Sequence, residues 1–479
     1  MADPLTDGAD VSALLRLVAD AAAEYLSELD GPLRLESSDE AAESFGGPLP
    51  EDGDGPFEPI RELLDRGLDA HVRSSGPRFF HWVIGGVTPA ALAADWLTST
   101  IDQNAGGWDA TPIGARLETV SLGWLRELFG LPAEWGGVLT TGATMANFAG
   151  LAAARQWWGE QHGADVRNTG LAGLPAVPVF TSGWVHVTAL KALSMLGIGR
   201  HAVTNCVADE TGRLDLDQLD RRLRELGGAP AIVIGNAGEV NAGHFDPIDQ
   251  IADLTERHGA WLHVDGAFGL FARVSPRTAA LADGVERAQS VISDGHKWLN
   301  VPYDCGFAFV RDTSHLAGAF VAGADYLPES EDERPVYGFL GPELSRRARS
   351  LAVWATLKAY GRSGYRAVVE RCLDNAAHLR DIVEQSDELE LLAPVPLNIV
   401  CFRYRRDELS EEELDELNLA IGERSLKDGR VYMGTTRWAG KVAFRPAFVN
   451  FRTTRADTEL IAETVCDLGR QIAPVRASA

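Results

Sequence analysis

Lysine is scarce in this chain of 479 residues: it occurs only at Lys191, Lys297, Lys358, Lys427 and Lys441, and arginine supplies the rest of the 44 basic residues. A genome biased toward GC-rich codons explains the split most simply. Whatever its origin, it leaves few candidates for chemistry that needs a lysine amine. Cysteine is sparse too. Cys206, Cys305, Cys372, Cys401 and Cys466 lie far apart with no C-x-x-C pair, which argues against a disulfide framework or a zinc knuckle and fits a reducing cytoplasm. No apolar run reaches the roughly 18 residues of a membrane span. The opening Met1-Ala2-Asp3-Pro4 lacks the basic and apolar regions of a secretory signal. With 69 Asp+Glu the net charge is −25, so the chain should repel a nucleic-acid backbone or an anionic bilayer. Its one basic cluster, Arg346, Arg347 and Arg349, is too small to reverse that field.

Hydrophobic residues make up 45% and charged residues 24%, near globular averages, so a large core is expected and wholesale disorder is not. The length suggests two or three domains. From Val11 to Arg73 the pattern reads as helices broken by an acidic, Gly- and Pro-bearing loop, Ser37 to Gly55. Leu14, Leu15, Val18 and Ala22, then Ile60, Leu63, Leu64 and Leu68, recur at helical spacing. From Pro89 onward short apolar runs alternate with helical stretches. Strands are predicted at Val177 to Phe180, Ala202 to Val207, Ala231 to Ile234, Trp261 to Val264, Ser290 to Ser293 and Gly306 to Val310. Helices are predicted at His186 to Leu196, Asp215 to Leu226 and Pro247 to His258. This is the signature of a mostly parallel sheet covered by helices, whose ligands bind beyond the carboxyl ends of the strands. After a long helix around Trp354 to Tyr360, strands at Asn398 to Tyr404 and Val442 to Phe444 flank a helix holding Glu411 to Glu423, a small α+β segment. The expected division is a helical arm over 1–88, a large α/β domain over 89–365 and a small domain over 366–479.

Three places carry chemistry. Trp261-Leu262-His263-Val264-Asp265-Gly266-Ala267 delivers a carboxylate as a strand ends. Ser293-Asp294-Gly295-His296-Lys297-Trp298 delivers an amine at another strand end, 32 residues after Asp265 and across one expected crossover helix. A lysine in a dry pocket gives up its proton readily and can form a Schiff base. Thr140-Thr141-Gly142-Ala143-Thr144-Met145-Ala146-Asn147 opens a helix with small and hydroxyl residues, which suits a phosphate; N-capping by Thr141 or Thr144 alone would leave a similar sequence. Amine, carboxylate and phosphate cradle together are what pyridoxal phosphate requires, and His186, opening a helix after a strand, is placed to stack on its ring.

These motifs resemble the group II pyridoxal-phosphate-dependent amino acid decarboxylases, which include aromatic-L-amino-acid, glutamate, histidine and diaminobutyrate decarboxylases. The resemblance runs from Pro77-Arg78-Phe79-Phe80 to Asn450-Phe451-Arg452-Thr453-Thr454. It is most specific at Asp294-Gly295-His296-Lys297-Trp298-Leu299 with Tyr303-Asp304-Cys305. It implies a homodimeric fold-type I enzyme with sites shared between chains and N-terminal helices embracing the partner. Lys297 would carry the internal aldimine, Asp265 would pair with the pyridinium nitrogen, and His186 and Ala267 would lie on the two ring faces. Ala143, Thr144 and His296 would sit at or near the phosphate, with Asp294 beside them, and no metal is implied. Tyr326, in the polar loop Gly323 to Gly338, matches the tyrosine that protonates the quinonoid carbon after CO2 leaves, with Tyr337 a rival in the same loop. Relatives with phenylalanine there tend to make aldehydes.

The chain departs from the family pattern at Met145, where an acid is usual, at Asp294, where some relatives have asparagine, and at Glu239, where some have threonine. Ser74 and Gly106 fall where aromatic decarboxylases have aromatic residues, with Trp82 and Ile84 partly compensating on the substrate side. Arg445 could meet a substrate carboxylate or a structural partner. The expected reaction is decarboxylation of an L-amino acid to its amine. An aldehyde synthase, a carbon–carbon lyase or a catalytically silent scaffold are the alternatives.

Overall fold

The computed structural model describes residues 7–33, 38–322 and 334–472. Seven strands form the large sheet: β1 Gly136–Thr140, β2 Val179–Thr181, β3 Val203–Asn205, β4 Ile232–Asn236, β5 Trp261–Asp265, β6 Ser290–Asp294 and β7 Gly306–Val310. Their order is β1-β7-β6-β5-β4-β2-β3. β3, β2, β4, β5 and β6 pair in parallel and β7 runs antiparallel to both neighbours. Every residue of β4, β5, β6 and β7 is buried, as continuous apolar strands covered on both faces must be. β1 was not among the predicted strands, because Gly136 and Gly137 dilute its short apolar run.

Parallel register brings the strand ends into one row. Asn236 pairs with Asp265, and Asp265 with Ile292. Ser182, Asn236, Asp265 and Asp294 therefore reach the same edge from β2, β4, β5 and β6. The segment between β5 and β6 corrects one expectation: it holds no α-helical crossover but three 3-10 turns, Gly269–Val274, Ala279–Ala282 and Val285–Arg287. Pro276 lacks an N–H to donate, and Gly284 adopts φ +94°, so this stretch favours short turns.

A second sheet is antiparallel, ordered β10-β11-β9-β8, from β8 Leu389–Leu391, β9 Phe402–Tyr404, β10 Thr435–Trp438 and β11 Lys441–Phe444. The helix Glu411–Asp428 beside it starts with a capping box between Ser410 and Glu413. The long helix Ser350–Gln385 breaks at Gly361, which takes φ 59° and ψ −171°. Near the start of the chain, the helix Val11–Ser27 buries none of its residues, and Val11 and Leu15 are more than half exposed. Trp96, Leu97, Ile101 and Ile113 are further large apolar side chains left exposed. Among the described residues no helix is long and apolar enough to cross a membrane.

Candidate active site

A cavity of about 300 Å³ opens at that row of strand ends, at the small end of the range for compact organic ligands. Lys297, Asp265, His186, Ala143, Thr144, Ala267, Asp294, His296, Trp82 and Arg445 all line it. The structure thus brings together, from six separate stretches of sequence, most of the residues expected to act together. Ile84 and Gly106 lie off the cavity wall; Gly106 accepts the Gly338 N–H and packs on the Leu344 carbonyl. Tyr326 falls outside the described residues. Tyr337 does not line the cavity: it is buried, its hydroxyl is 2.8 Å from Thr119 Oγ1, and burial raises its pKa.

Lys297 Nζ lies 3.0 Å from Asp294 Oδ2 and 5.9 Å from the Phe268 ring. The other Asp294 oxygen accepts the backbone N–H of Ala143 at 2.5 Å. Ala143 begins the helix Ala143–Gln161, and its N-cap, Gly142, makes no side-chain hydrogen bond. Capping by Thr141 or Thr144 therefore does not account for this sequence. Gly142 is there for its backbone: φ is +102°, and the chain of β7 passes so close that a Cβ on Gly306 would lie 2.5 Å from the Gly142 carbonyl carbon. His296 stacks on Tyr303 with centroids 4.1 Å apart and holds Nε2 3.5 Å from Asp294 Oδ2. Burial lowers its pKa, with Asp294 opposing.

Asp265 accepts two hydrogen bonds from the protein, from Ala267 N at 3.1 Å and Asn147 Nδ2 at 2.9 Å. His186 is the N-cap of the helix Val187–Met195, and its Nδ1 is 2.7 Å from Thr188 Oγ1. Burial lowers the His186 pKa, opposed by the Asp265 charge. Neutral imidazole is the form that stacks without a desolvated charge. Glu239 is buried and accepts N–H bonds from Asn241 and Ala242, with burial raising its pKa. Arg445 follows β11 and is largely buried. It donates to the Val240 carbonyl at 3.3 Å, and burial lowers its pKa with the Glu239 charge opposing.

At the cavity mouth Trp82 and Val83 both take left-handed backbone, φ 58° and 59°, a conformation that costs on the order of 1–3 kcal/mol for each non-glycine residue. Bonds on either side hold it: Phe80 N donates to the Tyr432 carbonyl at 2.8 Å and Gly85 N to the His296 carbonyl at 3.1 Å. The turn leaves Trp82 59% exposed at the rim. Asn300, three residues after Lys297, ties several segments together. Its Oδ1 accepts from Gly86 N at 2.8 Å and Phe451 N at 3.2 Å, and its Nδ2 donates to the Val449 carbonyl at 3.0 Å.

Sequence reasoning missed Trp184, Thr188 and Asn236 on the wall, and Asn147 and Asn300 behind it. Asn147 was accessible from helical periodicity, since it stands one turn after Ala143 on the same face. Thr188, two residues after a histidine N-cap, was accessible from capping chemistry. Asn300 gave little local signal, because apart from the Trp298 carbonyl its side-chain partners lie over 140 residues away.

The donor set suits pyridoxal phosphate: an amine and a carboxylate face one cavity, an imidazole stands beside them, and a bare glycine opens a helix without a side-chain cap. Residues 50–405 match the profile of the pyridoxal-dependent decarboxylase conserved domain. The chain is 29% identical to an aromatic-L-amino-acid decarboxylase of Bacillus atrophaeus, over 88% of each chain. It is 31% identical to an acidic amino acid decarboxylase of Mus musculus, over 84% of this chain and 75% of that one. The crystal structure of Oryza sativa TDC with PLP and tryptamine superposes with a TM-score of 0.89 at 25% identity, covering 98% of this chain and 100% of the other.

Proposed function

We propose, for a chain that belongs to the pyridoxal-dependent decarboxylase family and is a pyridoxal-phosphate-dependent carboxy-lyase, that it converts an L-amino acid to the corresponding amine and CO2. The observation that carries this reading is the convergence of Lys297, Asp265, His186 and the start of the helix Ala143–Gln161 on one cavity. Bound pyridoxal phosphate supplies the electron sink for the pair left when CO2 departs.

The chain's residues supply binding, orientation and proton control. Lys297 Nζ is the amine that would tether the cofactor, with Asp294 beside it to steer it. Asp265 would pair with the pyridine nitrogen and keep it protonated. His186 and Ala267 would hold the ring. Ala143, Thr144 and His296 hold the phosphate, the helix N-terminus adding its positive dipole end. Arg445, which spends one long hydrogen bond on the Val240 carbonyl, receives the substrate carboxylate and sets the orientation of the bond to be broken. Trp82, Trp184, Val240 and Phe268 give aromatic and other large apolar side chains the most surface to pack on. Tyr326 donates the proton that completes the amine.

The uncovered apolar stripe of Val11–Ser27 and the exposed Trp96, Leu97, Ile101 and Ile113 support a homodimer, since a lone helical arm cannot bury that surface. The arm over 1–88, the large domain over 89–365 and the small domain over 366–479 are its proposed units. The test is a decarboxylation screen across the twenty L-amino acids plus ornithine and 2,4-diaminobutyrate, with amine and CO2 measured together. Amine formation from at least one of them is expected. Carbon–carbon cleavage without CO2 release, or no reaction by a protein that binds the cofactor, would overturn the reading.

A further inference from the structure

Behind Asp265 runs a line of hydrogen bonds whose direction is fixed at its far end. The Trp261 indole Nε1–H can only donate, and it donates to Ser290 Oγ at 2.9 Å. Ser290 is completely buried, and the acceptor within reach of its hydroxyl proton among the described residues is His263 Nδ1, 2.8 Å away. With Nδ1 accepting, the His263 proton sits on Nε2 and is donated to Asn147 Oδ1 at 2.8 Å. The amide of Asn147 is thereby oriented with its nitrogen toward the cavity side. It donates to Asp265 Oδ2 at 2.9 Å and to Thr188 Oγ1 at 3.2 Å, and Thr188 in turn bonds His186 Nδ1 at 2.7 Å. Ser290, His263 and Asn147 are completely buried and Trp261 nearly so, and none of the four lines the cavity.

We infer that Trp261, Ser290, His263 and Asn147 form a positioning relay for the cofactor's ring nitrogen. By locking the Asn147 amide, the relay keeps a donor on Asp265 Oδ2 and presents the carboxylate to the pyridine nitrogen as an acceptor of fixed orientation. The inference rests on the proposed pairing of Asp265 with that nitrogen. A reversed Asn147 amide would set its carbonyl against the Asp265 carboxylate, two acceptors with no proton between them. Burial holds His263 down to about 4, so the relay keeps its direction through the neutral range. The other titratable groups around Asp265 are His186, from the helix Val187–Met195, and Lys297 and Asp294, from the end of β6; Arg445 faces them across the cavity.

The test is holoenzyme reconstituted with pyridoxal phosphate labelled with 15N in its ring, followed by 15N NMR from about pH 6 to pH 9. The ring-nitrogen shift of the unaltered protein should remain that of a protonated pyridine. In His263→Leu, which keeps an apolar side chain of similar bulk but no donor, the nitrogen should lose its proton at least about one pH unit lower. His263→Gln, which restores a donor toward Asn147, should recover most of the original profile. Ser290→Ala, the smaller change, should move the profile in the same direction as His263→Leu and serves if the leucine variant does not fold. Asp265→Asn is the control for the underlying pairing. If it leaves the 15N shift unchanged, the assignment of Asp265 fails. If it changes the shift while His263→Leu and Ser290→Ala lower only the thermal midpoint, the relay is structural and the inference is overturned.

Discussion

Asp294 holds Lys297 Nζ at 3.0 Å with one carboxylate oxygen while the other accepts the Ala143 backbone N–H. One carboxylate therefore contacts both the proposed tether and the first N–H of the proposed phosphate cradle. A bound phosphate would meet that negative charge at close range. Asp294→Asn should tighten cofactor binding by about tenfold, or 1.4 kcal/mol, in a titration of the apoprotein with pyridoxal phosphate. Weaker binding would show that Asp294 supports the site more than it opposes the phosphate. Lys297→Ala should abolish the visible band of amine-bound cofactor and lower decarboxylation by at least about 10²-fold.

Tyr326→Phe removes the proposed proton donor without changing the loop's length. Amine formation should fall by about 10²-fold or more, with aldehyde appearing as oxygen is consumed. Mass spectrometry of products with and without oxygen decides it. Unchanged amine output would transfer the role to another donor.

Arg445→Ala removes a guanidinium that spends one long hydrogen bond on the chain itself. A charge-assisted bond to substrate is worth roughly 1.5–3 kcal/mol, so kcat/KM should fall by about 10- to 100-fold. Affinity for the cofactor, titrated separately, should stay within about twofold. A lost cofactor affinity with unchanged kcat/KM of the reloaded enzyme would make Arg445 a structural residue.

His263 gives stability a pH dependence of known sign. Its folded pKa, near 4, lies below the ordinary value of 6.5, so below pH 6.5 the unfolded chain takes up a proton that the folded chain refuses. Its contribution is fully present above pH 6.5 and is lost as pH falls toward 4. Between pH 7 and pH 5 this amounts to about 2 kcal/mol. Urea unfolding of the apoprotein at the two pH values should show that loss, and His263→Gln should reduce the difference between them.

The exposed stripe on Val11–Ser27 bears on assembly. Light scattering should give a dimer, and Val11→Glu with Leu15→Glu should shift it toward monomer and lower activity together. An active monomer would remove the proposed role of the arm.

Much of this architecture was legible in the sequence because it rests on local signals. The parallel strands announce themselves as short apolar runs, and Asp265 and Lys297 stand at the ends of two of them. The scarcity of lysine narrowed the choice further: Lys191, Lys358 and Lys427 are exposed, and Lys441 lies between Glu390 and Glu411, 3.7 Å from each. What escaped had misleading local signals or distant partners. Gly136 and Gly137 hid β1, the turns between β5 and β6 carried enough apolar residues to pass for a helix, and Asn300 reaches Gly86, Val449 and Phe451 far along the chain. Ile84 and Gly106 were placed by family spacing alone, and spacing does not show on which side of a strained turn or a loop a residue will fall.

Asn300 has a consequence for selectivity. It stands three residues after Lys297, and its amide grips the backbone at Val449 and Phe451, a few residues after Arg445. The proposed grips on cofactor and substrate carboxylate come from different sheets, and this one buried side chain spans the joint between their trailing segments. It acts as the pin of a caliper: each jaw can be intact while the gap between them is wrong. Which amino acid fits is then a matter of gauge as much as of wall chemistry, set partly by a residue that does not line the cavity.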